Sequence, residues 1–364
     1  MDIAALRLGN QRPGRFGSAE DVVRALGAVQ AQDYGQSLWA LGLRTATGRV
    51  ADVEEALQSG RLVRTWLMRG TIHYVLAEDV KWMLALFGRR FLAKLTPKAW
   101  QYHNMTPELM SSARTTFVEA LSGGGCLTRR EMIDLMADIG IPDDRQQSYF
   151  TLNHLAQEGL VVPGPPRDKD QTFVLLEEWA PVQRSLSGEE ALAVLAERFF
   201  TSHGPATLAD FANWCGIGVR EATLGLEPIK DQLVRETVDG KEYWLHPDLE
   251  PASGTFLLPA YDELVIGFKD RGAYFTRYDE IPISTYNGMF YATIIEDGQI
   301  AGLWRRVMKK TSVDVELRPL PGFDVAQLAE HTARFSDFLG LPVRTFVKDA
   351  PEPGSSKVSW RSRR

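Results

Sequence analysis

Three stretches of the chain share one pattern of hydroxyl, acidic and apolar positions. They begin at Ser18, Thr128 and Thr207, and each has an Asp or Glu three positions later. The hydroxyl caps free backbone N–H groups at a helix start, and the acid favours the positive end of the helix. Each stretch then has two apolar residues one helical turn apart, namely Val22 and Leu26, Met132 and Met136, and Phe211 and Cys215. The pattern therefore predicts three short amphipathic helices with one buried stripe each.

The surroundings of the second and third stretches match each other. A longer helix is predicted before each, opened by "TPE" in one case and by "SGEE" in the other. Each is followed by a turn, a third helix and two short strands, which is the element order of a winged helix. The first stretch matches more loosely, because its hairpin, "LVRTWLMRGTIHYVL", comes later. We predict three tandem winged-helix units at residues 1–100, 101–182 and 183–250.

From about Gly254 the chain becomes rich in β-branched and aromatic residues, interrupted by Gly, Asp and Pro. This texture predicts a β-rich, barrel-like module at residues 251–348, closed by the helix "DVAQLAEHTARFSDFLG" with Gly340 as its stop. The expected fold class is α+β, with the winged-helix units and this module arranged around a DNA channel. Residues 349–364 are expected to form a flexible basic tail that carries Lys357, Arg361, Arg363 and Arg364.

Composition narrows the class of protein. The 364 residues are 44% hydrophobic, which is enough for real cores, and a formal net charge of −6 is compatible with a local basic groove. Cys126 and Cys215 lack metal-ligand spacing, so we expect free thiols in a reducing compartment and no structural zinc. No apolar run approaches the roughly 18 residues of a membrane span, and the N-terminus lacks a signal-peptide pattern. These features predict a cytoplasmic protein.

One short stretch, "LWRRVMKK", concentrates positive charge. It contains four basic residues and no acid, namely Arg305, Arg306, Lys309 and Lys310. In a strand or hairpin some of these side chains would share a face and follow a phosphate backbone. A solvated edge strand protected by charge is the alternative. Since winged helices bind nucleic acids, although they also contact proteins, we predict that these residues bind DNA.

The stretch "VQAQD" places two glutamines, Gln30 and Gln32, one residue apart and directly before an acid. A structural role and simple hydrogen bonding to a base or phosphate are two explanations. A catalytic role is the third. An amide does not titrate, but it can hold and aim a water molecule, and its oxygen can face a cationic sugar. That suffices for a purine alkylated at N7, which is already a good leaving group.

The chain resembles the AlkZ-type DNA glycosylases, winged-helix proteins of bacteria, from about residue 3 to residue 348. The resemblance rests on "VQAQD", "RGTIHYVLAEDV", "YFTLNHLAQEGLVVPGP", "SHGPATLADFANW", "LLPAYDELVIGFKDR" and "GLWRRVMKK", in the same order. It implies that Gln30 and Gln32 are catalytic and that N7-alkylated or cross-linked purines are released. A related branch has Asp at the second position. Gln32 is similar to the branch that protects antibiotic producers against bulky DNA-alkylating natural products.

Two further residues are candidates for a place near the substrate. His73 lies in "RGTIHYV", where a lone hairpin histidine is more often structural. Asp262, with Glu263, is expected either to pair with Arg271 as scaffold or to touch substrate. The sequence thus favours a monofunctional, monomeric DNA glycosylase that acts on double-stranded DNA without metal or cofactor. The alternative is a non-catalytic winged-helix regulator or a sequestering resistance protein.

Overall fold

A computed structural model of the chain describes residues 1–168, 170–278 and 281–350. The four basic residues of the predicted tail lie outside the described residues. Within them, the chain divides into two compact units. One consists of Met1–Val53 together with the residues from Ala193 onward, and the other of Glu54–Leu192. The predicted segment 1–100 therefore contains residues of both units. None of the described helices is long and apolar enough to cross a membrane.

Helices and strands follow one another along the described chain. The helices are α1 (Ile3–Gln11), α2 (Ala19–Leu26), α3 (Tyr34–Arg44), α4 (Val50–Gln58), α5 (Val80–Ala93), α6 (Pro97–Tyr102), α7 (Pro107–Leu121), α8 (Arg129–Asp138), α9 (Arg145–Gln157), α10 (Leu176–Trp179), α11 (Gly188–His203), α12 (Leu208–Cys215), α13 (Val219–Leu226), α14 (Glu263–Ile266) and α15 (Ala329–Leu339). The strands are β1 (Val29–Gln30), β2 (Leu62–Trp66), β3 (Ile72–Leu76), β4 (Leu127–Thr128), β5 (Val161–Arg167), β6 (Asp170–Leu175), β7 (Val234–Val238), β8 (Lys241–Leu245), β9 (Thr255–Leu258), β10 (Ala292–Glu296), β11 (Gln299–Met308), β12 (Val313–Pro319) and β13 (Val343–Val347).

The three predicted capped helices are confirmed. Ser18 caps α2 by accepting a hydrogen bond from the Asp21 N–H. Thr128 and Thr207 cap α8 and α12 in full capping boxes, in which the acid three positions later reaches back to the cap backbone. Local hydrogen-bonding chemistry thus determines where these helices begin.

The unit Glu54–Leu192 has its core under α7, α8 and α9. Phe117 of α7, Met132 and Met136 of α8 and Leu155 of α9 are all fully buried against Phe173 of β6. The three helices are followed by the antiparallel hairpin β5–β6, and the short strand β4 pairs with β6 on its other side. An earlier hairpin, β2–β3, pairs Thr65 with His73. Helix, helix, helix and hairpin therefore follow one another here in the predicted order.

The other unit contains α11 from Ala193 onward, α12 and α13, followed by the antiparallel hairpin β7–β8. It also contains a five-stranded sheet in the order β13-β12-β11-β10-β9. The barrel-like module predicted for residues 251–348 is wrong in this respect, because the described sheet is open, with β13 and β9 at its edges. The reason is the parallel pairing of β12 with β13. Parallel neighbours need a crossover, and α15 supplies it instead of a hairpin that could close the sheet.

Helix α15 packs on the open sheet through aromatic side chains. Phe335 lies 4.9 Å from Trp39 of α3 and 5.4 Å from Trp304 of β11, measured between ring centroids. Gly340 ends the helix with φ 64°, the left-handed conformation that glycine adopts without strain, as predicted. The indole N–H of Trp39 donates to the carbonyl of Leu257 in β9 at 2.8 Å. Helix α3 is thereby fixed against the sheet.

Candidate active site around Gln30 and Gln32

The segment that carries the two glutamines is fixed at both ends. Gly27 ends α2 with φ 82°, and its N–H donates to the Val23 carbonyl at 2.9 Å. Asp33 begins α3, and its carboxylate accepts a 3.0 Å hydrogen bond from the Gln36 N–H. The glutamines therefore lie in a short connection between two capped helices, where their backbone has little freedom.

The two glutamines differ in exposure. Gln30 is only 7% exposed and Ala31 is fully buried, whereas Gln32 is exposed. Each amide can both donate and accept hydrogen bonds without changing its charge. One amide is thus embedded in the protein and the other faces outward, an arrangement suited to orienting a small polar molecule.

A buried carboxylate from a distant part of the chain holds the backbone of Gln30. The Gln30 N–H donates to Oε1 of Glu263 at 2.8 Å, and Nε1 of Trp214 donates to Oε2 of the same carboxylate at 3.0 Å. Glu263 is 1% exposed. Hydrogen bonds to a charged, water-excluded acceptor are among the stronger ones in proteins. Glu263 therefore fixes the position of Gln30 from the protein interior.

The neighbouring Asp262 has a structural role in the described chain. Its two oxygens accept hydrogen bonds from Arg44 of α3 at 2.7 and 2.8 Å, and both side chains are almost fully buried. Burial alone would lower the pKa of Arg44, but the charge and hydrogen bonds of Asp262 outweigh it and raise that pKa. Asp262 was expected to pair with Arg271 or to touch substrate. Arg271 instead donates to the Val265 carbonyl at 2.8 Å, because α14 turns Asp262 toward α3.

The residue before these two acids, Tyr261, has an unusual backbone conformation. Its φ of 59° lies in the left-handed region that bulky residues rarely adopt. Such a conformation persists only where the surroundings fix it, and Asp262 and Glu263 are both anchored as described above. Burial and the nearby charge of Asp33 raise the pKa of the Tyr261 hydroxyl. Tyr261 is therefore held near the acid that follows the two glutamines.

Arg306 of β11 lies against the first turn of α3. A Cβ built on Gly35 would be 1.8 Å from Nη2 of Arg306, so the guanidinium occupies the space that a side chain at this position would take. Burial lowers the pKa of Arg306, and the charge of Asp33 only partly opposes this effect. Among the described residues Arg306 has no hydrogen-bond or ion-pair partner. A cation in this state is ready to bind an anionic group of a ligand.

The other three basic residues predicted to bind DNA have different surroundings. Arg305 points to the opposite face of β11 from Arg306, where it donates to Oε2 of Glu316 at 2.7 Å. Lys309 forms an ion pair with Asp314 at 3.6 Å, and Lys310 is exposed. The four side chains thus do not form one continuous basic face, and Arg306 is the one beside the glutamine segment.

The remaining candidate residues are His73 and the two cysteines. His73 is 1% exposed in β3, with Nδ1 2.9 Å from the Thr71 carbonyl oxygen. Neither Cys126 nor Cys215 forms a disulfide within the part of the chain that the structure describes. Over the described residues, no three or more His, Cys, Asp or Glu side chains are grouped as metal ligands would be.

Two residues of the site were not identified from the sequence. Asp33 was noted only as the acid after the glutamines, although its position directly before a helix is a typical N-cap signal. Tyr261 carried no signal of its own, because an aromatic residue before two acids does not indicate a positive φ. Tyr261 comes close to the glutamine segment only in the folded chain.

Comparison with known proteins agrees with this architecture. A protein of Streptomyces sahachiroi described as an interstrand DNA cross-link repair glycosylase is 26% identical over 353 residues, covering 90% of this chain and 93% of that protein. The solved structure of the Streptomyces sahachiroi DNA glycosylase AlkZ has a TM-score of 0.73 and 22% identity, covering 95% of this chain and 98% of the other. The model of the AlkZ-like DNA glycosylase family matches residues 23–338. The chain therefore belongs to the AlkZ-like family of DNA glycosylases.

Proposed function

We propose that this enzyme hydrolyses the N-glycosidic bond of purines alkylated at N7 in duplex DNA, with Gln30 and Gln32 as its catalytic residues. The observation that carries the proposal is the pair of amides, one on a buried residue whose backbone N–H is held by Glu263 and the other on an exposed residue. Neither amide can accept a proton as a general base. Their contribution is to position an attacking water and to stabilise the transition state.

An N7-alkylated purine suits such a site because its ring carries a positive charge. The bond from N9 to C1′ of the sugar therefore breaks to release a neutral base, without a strong acid to protonate it. As the bond breaks, positive charge develops on the sugar, and an amide oxygen stabilises it when it is already aimed at C1′. The water held by the amides then adds to C1′ and loses a proton to solvent, which leaves an abasic site.

We propose that DNA is held through winged-helix units and through the basic residues of β11 and the turn after it. The candidate units are α7–α8–α9 with β5–β6 and α11–α12–α13 with β7–β8. Arg306 and Lys310 are the basic residues best suited to a phosphate. Arg306 lacks a partner among the described residues, and Lys310 is exposed. Arg305 and Lys309 are already paired with acids.

The relative from Streptomyces sahachiroi is named for repair of interstrand DNA cross-links. We extend this substrate class to the present enzyme as part of the proposal. A cross-link joined through N7 of two purines presents the same cationic leaving group on each strand. Removal of one adducted base breaks the covalent connection between the strands. This reaction serves repair or self-resistance in a cell exposed to such agents.

The proposal is tested by incubating the protein with a duplex that contains one N7-methylguanine. Release of the free base and formation of an alkali-labile abasic site are the expected products. The control for replacing Gln30 or Gln32 is Gln101→Ala, which removes an exposed glutamine from α6 and should keep the activity. If the wild-type protein binds this duplex but releases no base, the catalytic proposal is wrong.

A further inference from the structure

Behind the glutamine segment lies a group of buried ionisable side chains. His203, Glu263, Asp262 and Arg44 are each at most 1% exposed. Arg44 is engaged by both oxygens of Asp262. The carboxylate of Glu263 accepts from Gln30 and Trp214 and lies 3.6 Å from Nε2 of His203. Buried charges are expensive unless they are paired, so the protonation state of His203 matters for this group.

The hydrogen bonds of Ser202 indicate that Nδ1 of His203 carries a proton. Oγ of Ser202 is 2.6 Å from the carbonyl oxygen of Arg198. Two oxygens this close need a hydrogen between them, and only the serine hydroxyl has one. Oγ is also 2.8 Å from Nδ1 of His203, so Nδ1 must be the donor of that hydrogen bond.

The other ring nitrogen of His203 faces the carboxylate of Glu263. In a neutral imidazole protonated at Nδ1, Nε2 would direct a lone pair at an oxygen that is rich in electrons. A second proton on Nε2 replaces this repulsion with attraction. Nε2 lies 3.6 Å from Oε2 of Glu263, which is too far for a hydrogen bond, and it has no hydrogen-bond partner among the described residues. The interaction between the two side chains is therefore that of two charges.

The other described contacts of the His203 ring are with aromatic rings and a hydroxyl group. Within α11, Phe199 stacks on the ring at 4.6 Å and 13°, and Ser202 accepts from Nδ1. Trp214 of α12 lies 5.5 Å away and Phe268, after α14, lies 6.0 Å away. Glu263 of α14 is the charged group that faces it.

We propose that His203 is an imidazolium at neutral pH, and that His203 and Glu263 form an ion pair whose role is to position Gln30. This inference rests on the proposed function of Gln30 and adds two positioning residues to it. The cation at His203, together with the nearby charge of Arg44, keeps Glu263 ionised in the interior. The carboxylate in turn holds the backbone N–H of Gln30 and thus the point from which the Gln30 side chain extends.

The charge of His203 is measured directly by long-range ¹H–¹⁵N correlation spectra of the full-length protein at pH 7.5, labelled at histidine. The signal is assigned by its loss in His203→Gln. Both ring nitrogens are expected at imidazolium shifts. A neutral pattern, with Nε2 as the unprotonated nitrogen, would overturn the proposal. In Glu263→Gln, the ring of His203 should become neutral, because the charge that it faces has been removed.

The positioning role is measured by hydrogen exchange of the Gln30 amide and by single-turnover base release at saturating protein. Glu263→Gln keeps the shape of the side chain but removes its charge. We expect faster exchange at Gln30 and a rate loss of about tenfold or more, since small misplacements of catalytic groups are costly. His246→Gln, which changes a histidine whose side chain is 42% exposed, is the control and should leave both readouts unchanged. Wild-type exchange at Gln30 in a folded Glu263→Gln protein contradicts the role.

Failure of the proposed function gives a different result. If the wild-type protein releases no N7-methylguanine, the proposed catalytic role of Gln30 is wrong. The ring shifts and the exchange rate still decide whether the ion pair exists and holds the Gln30 backbone. A merely structural pair would lower the melting temperature of Glu263→Gln while the exchange at Gln30 and the rate of the folded protein stayed at wild-type values.

Discussion

The guanidinium of Arg306 occupies the space that a side chain at Gly35 would need, since a Cβ there would come within 1.8 Å of Nη2. A glycine in the first turn of α3 thereby admits a cation from β11 beside the two glutamines. The cation and the glutamine segment come from parts of the chain that are far apart in sequence. Their proximity makes Arg306 the most informative basic residue to change.

Replacing Arg306 with Ala should weaken binding to duplex DNA and flatten its salt dependence. One lost phosphate contact lowers the slope of log affinity against log salt by roughly 0.9. Arg305→Ala is the matched control, because Arg305 is already paired with Glu316 and should change the slope less. Fluorescence anisotropy titrations at several salt concentrations measure both. Equal slopes for wild type and Arg306→Ala would rule out the contact.

Replacing either Gln30 or Gln32 with Ala should slow base release far more than it weakens binding to damaged DNA. A loss confined to the bond-breaking step marks an interaction made mainly in the transition state. Gln32→Asp should keep partial activity, because it retains an oxygen that can hold water. Single-turnover kinetics on the N7-methylguanine duplex, with a melting curve for each variant, provide the test. Weaker affinity with an unchanged rate at saturation would indicate binding alone.

Neutral bases should be poor substrates. Two amides cannot protonate a leaving base, so release depends on the positive charge that N7 alkylation provides. Duplexes with a single uracil or a single N7-methylguanine, compared under identical conditions, measure this preference. Efficient release of uracil would show that the site contains an acid that the proposed mechanism lacks.

Replacing Asp262 with Asn should destabilise the protein because Arg44 loses its counter-charge. Breaking a buried ion pair typically costs about 3–5 kcal/mol of the free energy of unfolding. Urea denaturation monitored by tryptophan fluorescence measures the loss. An unchanged unfolding free energy together with slower base release would instead assign Asp262 to the substrate, as the sequence had left open.

The Glu316 carboxylate should stabilise the fold in a pH-dependent way. Burial raises its pKa, but hydrogen bonds from Arg305, Arg318 and Lys348 outweigh this effect and lower the pKa below the ordinary value. A carboxylate with a depressed pKa contributes stability above its unfolded-state pKa and loses it as the pH falls. The unfolding free energies of wild type and Glu316→Gln should therefore differ at pH 7, and the difference should shrink as the pH falls from about 4.3, the ordinary value for Glu, through the lower pKa of the folded state. A constant difference over that range would contradict this account.

The helix starts were predictable because their chemistry is local. Ser18, Thr128 and Thr207 each act on N–H groups within their own first turn, which a sequence pattern can reveal. The partners of the site were not predictable in this way. The contact between Gln30 and Glu263 joins residues 233 positions apart, and two neighbouring acids in a sequence do not show which cation or amide they face.

The shape of the C-terminal module shows the same limit. The richness in β-branched and aromatic residues correctly indicated strands. It does not indicate whether the last strand pairs parallel or antiparallel with its neighbour. The parallel pairing of β13 with β12 decides that the described sheet stays open. The division into two units was not predictable either. No change of composition marks Val53, where the first unit is interrupted, or Ala193, where the chain returns to that unit.

The contact between Gln30 and Glu263 also has a consequence for synthesis on the ribosome. The two glutamines emerge early, while the carboxylate that holds Gln30 is translated 233 residues later. A nascent or prematurely terminated chain that ends before Glu263 carries both amides without their anchor. Under the proposed mechanism, such fragments can meet the genome without cutting bases from it, so the ability to make abasic sites arises only after Glu263 has been translated.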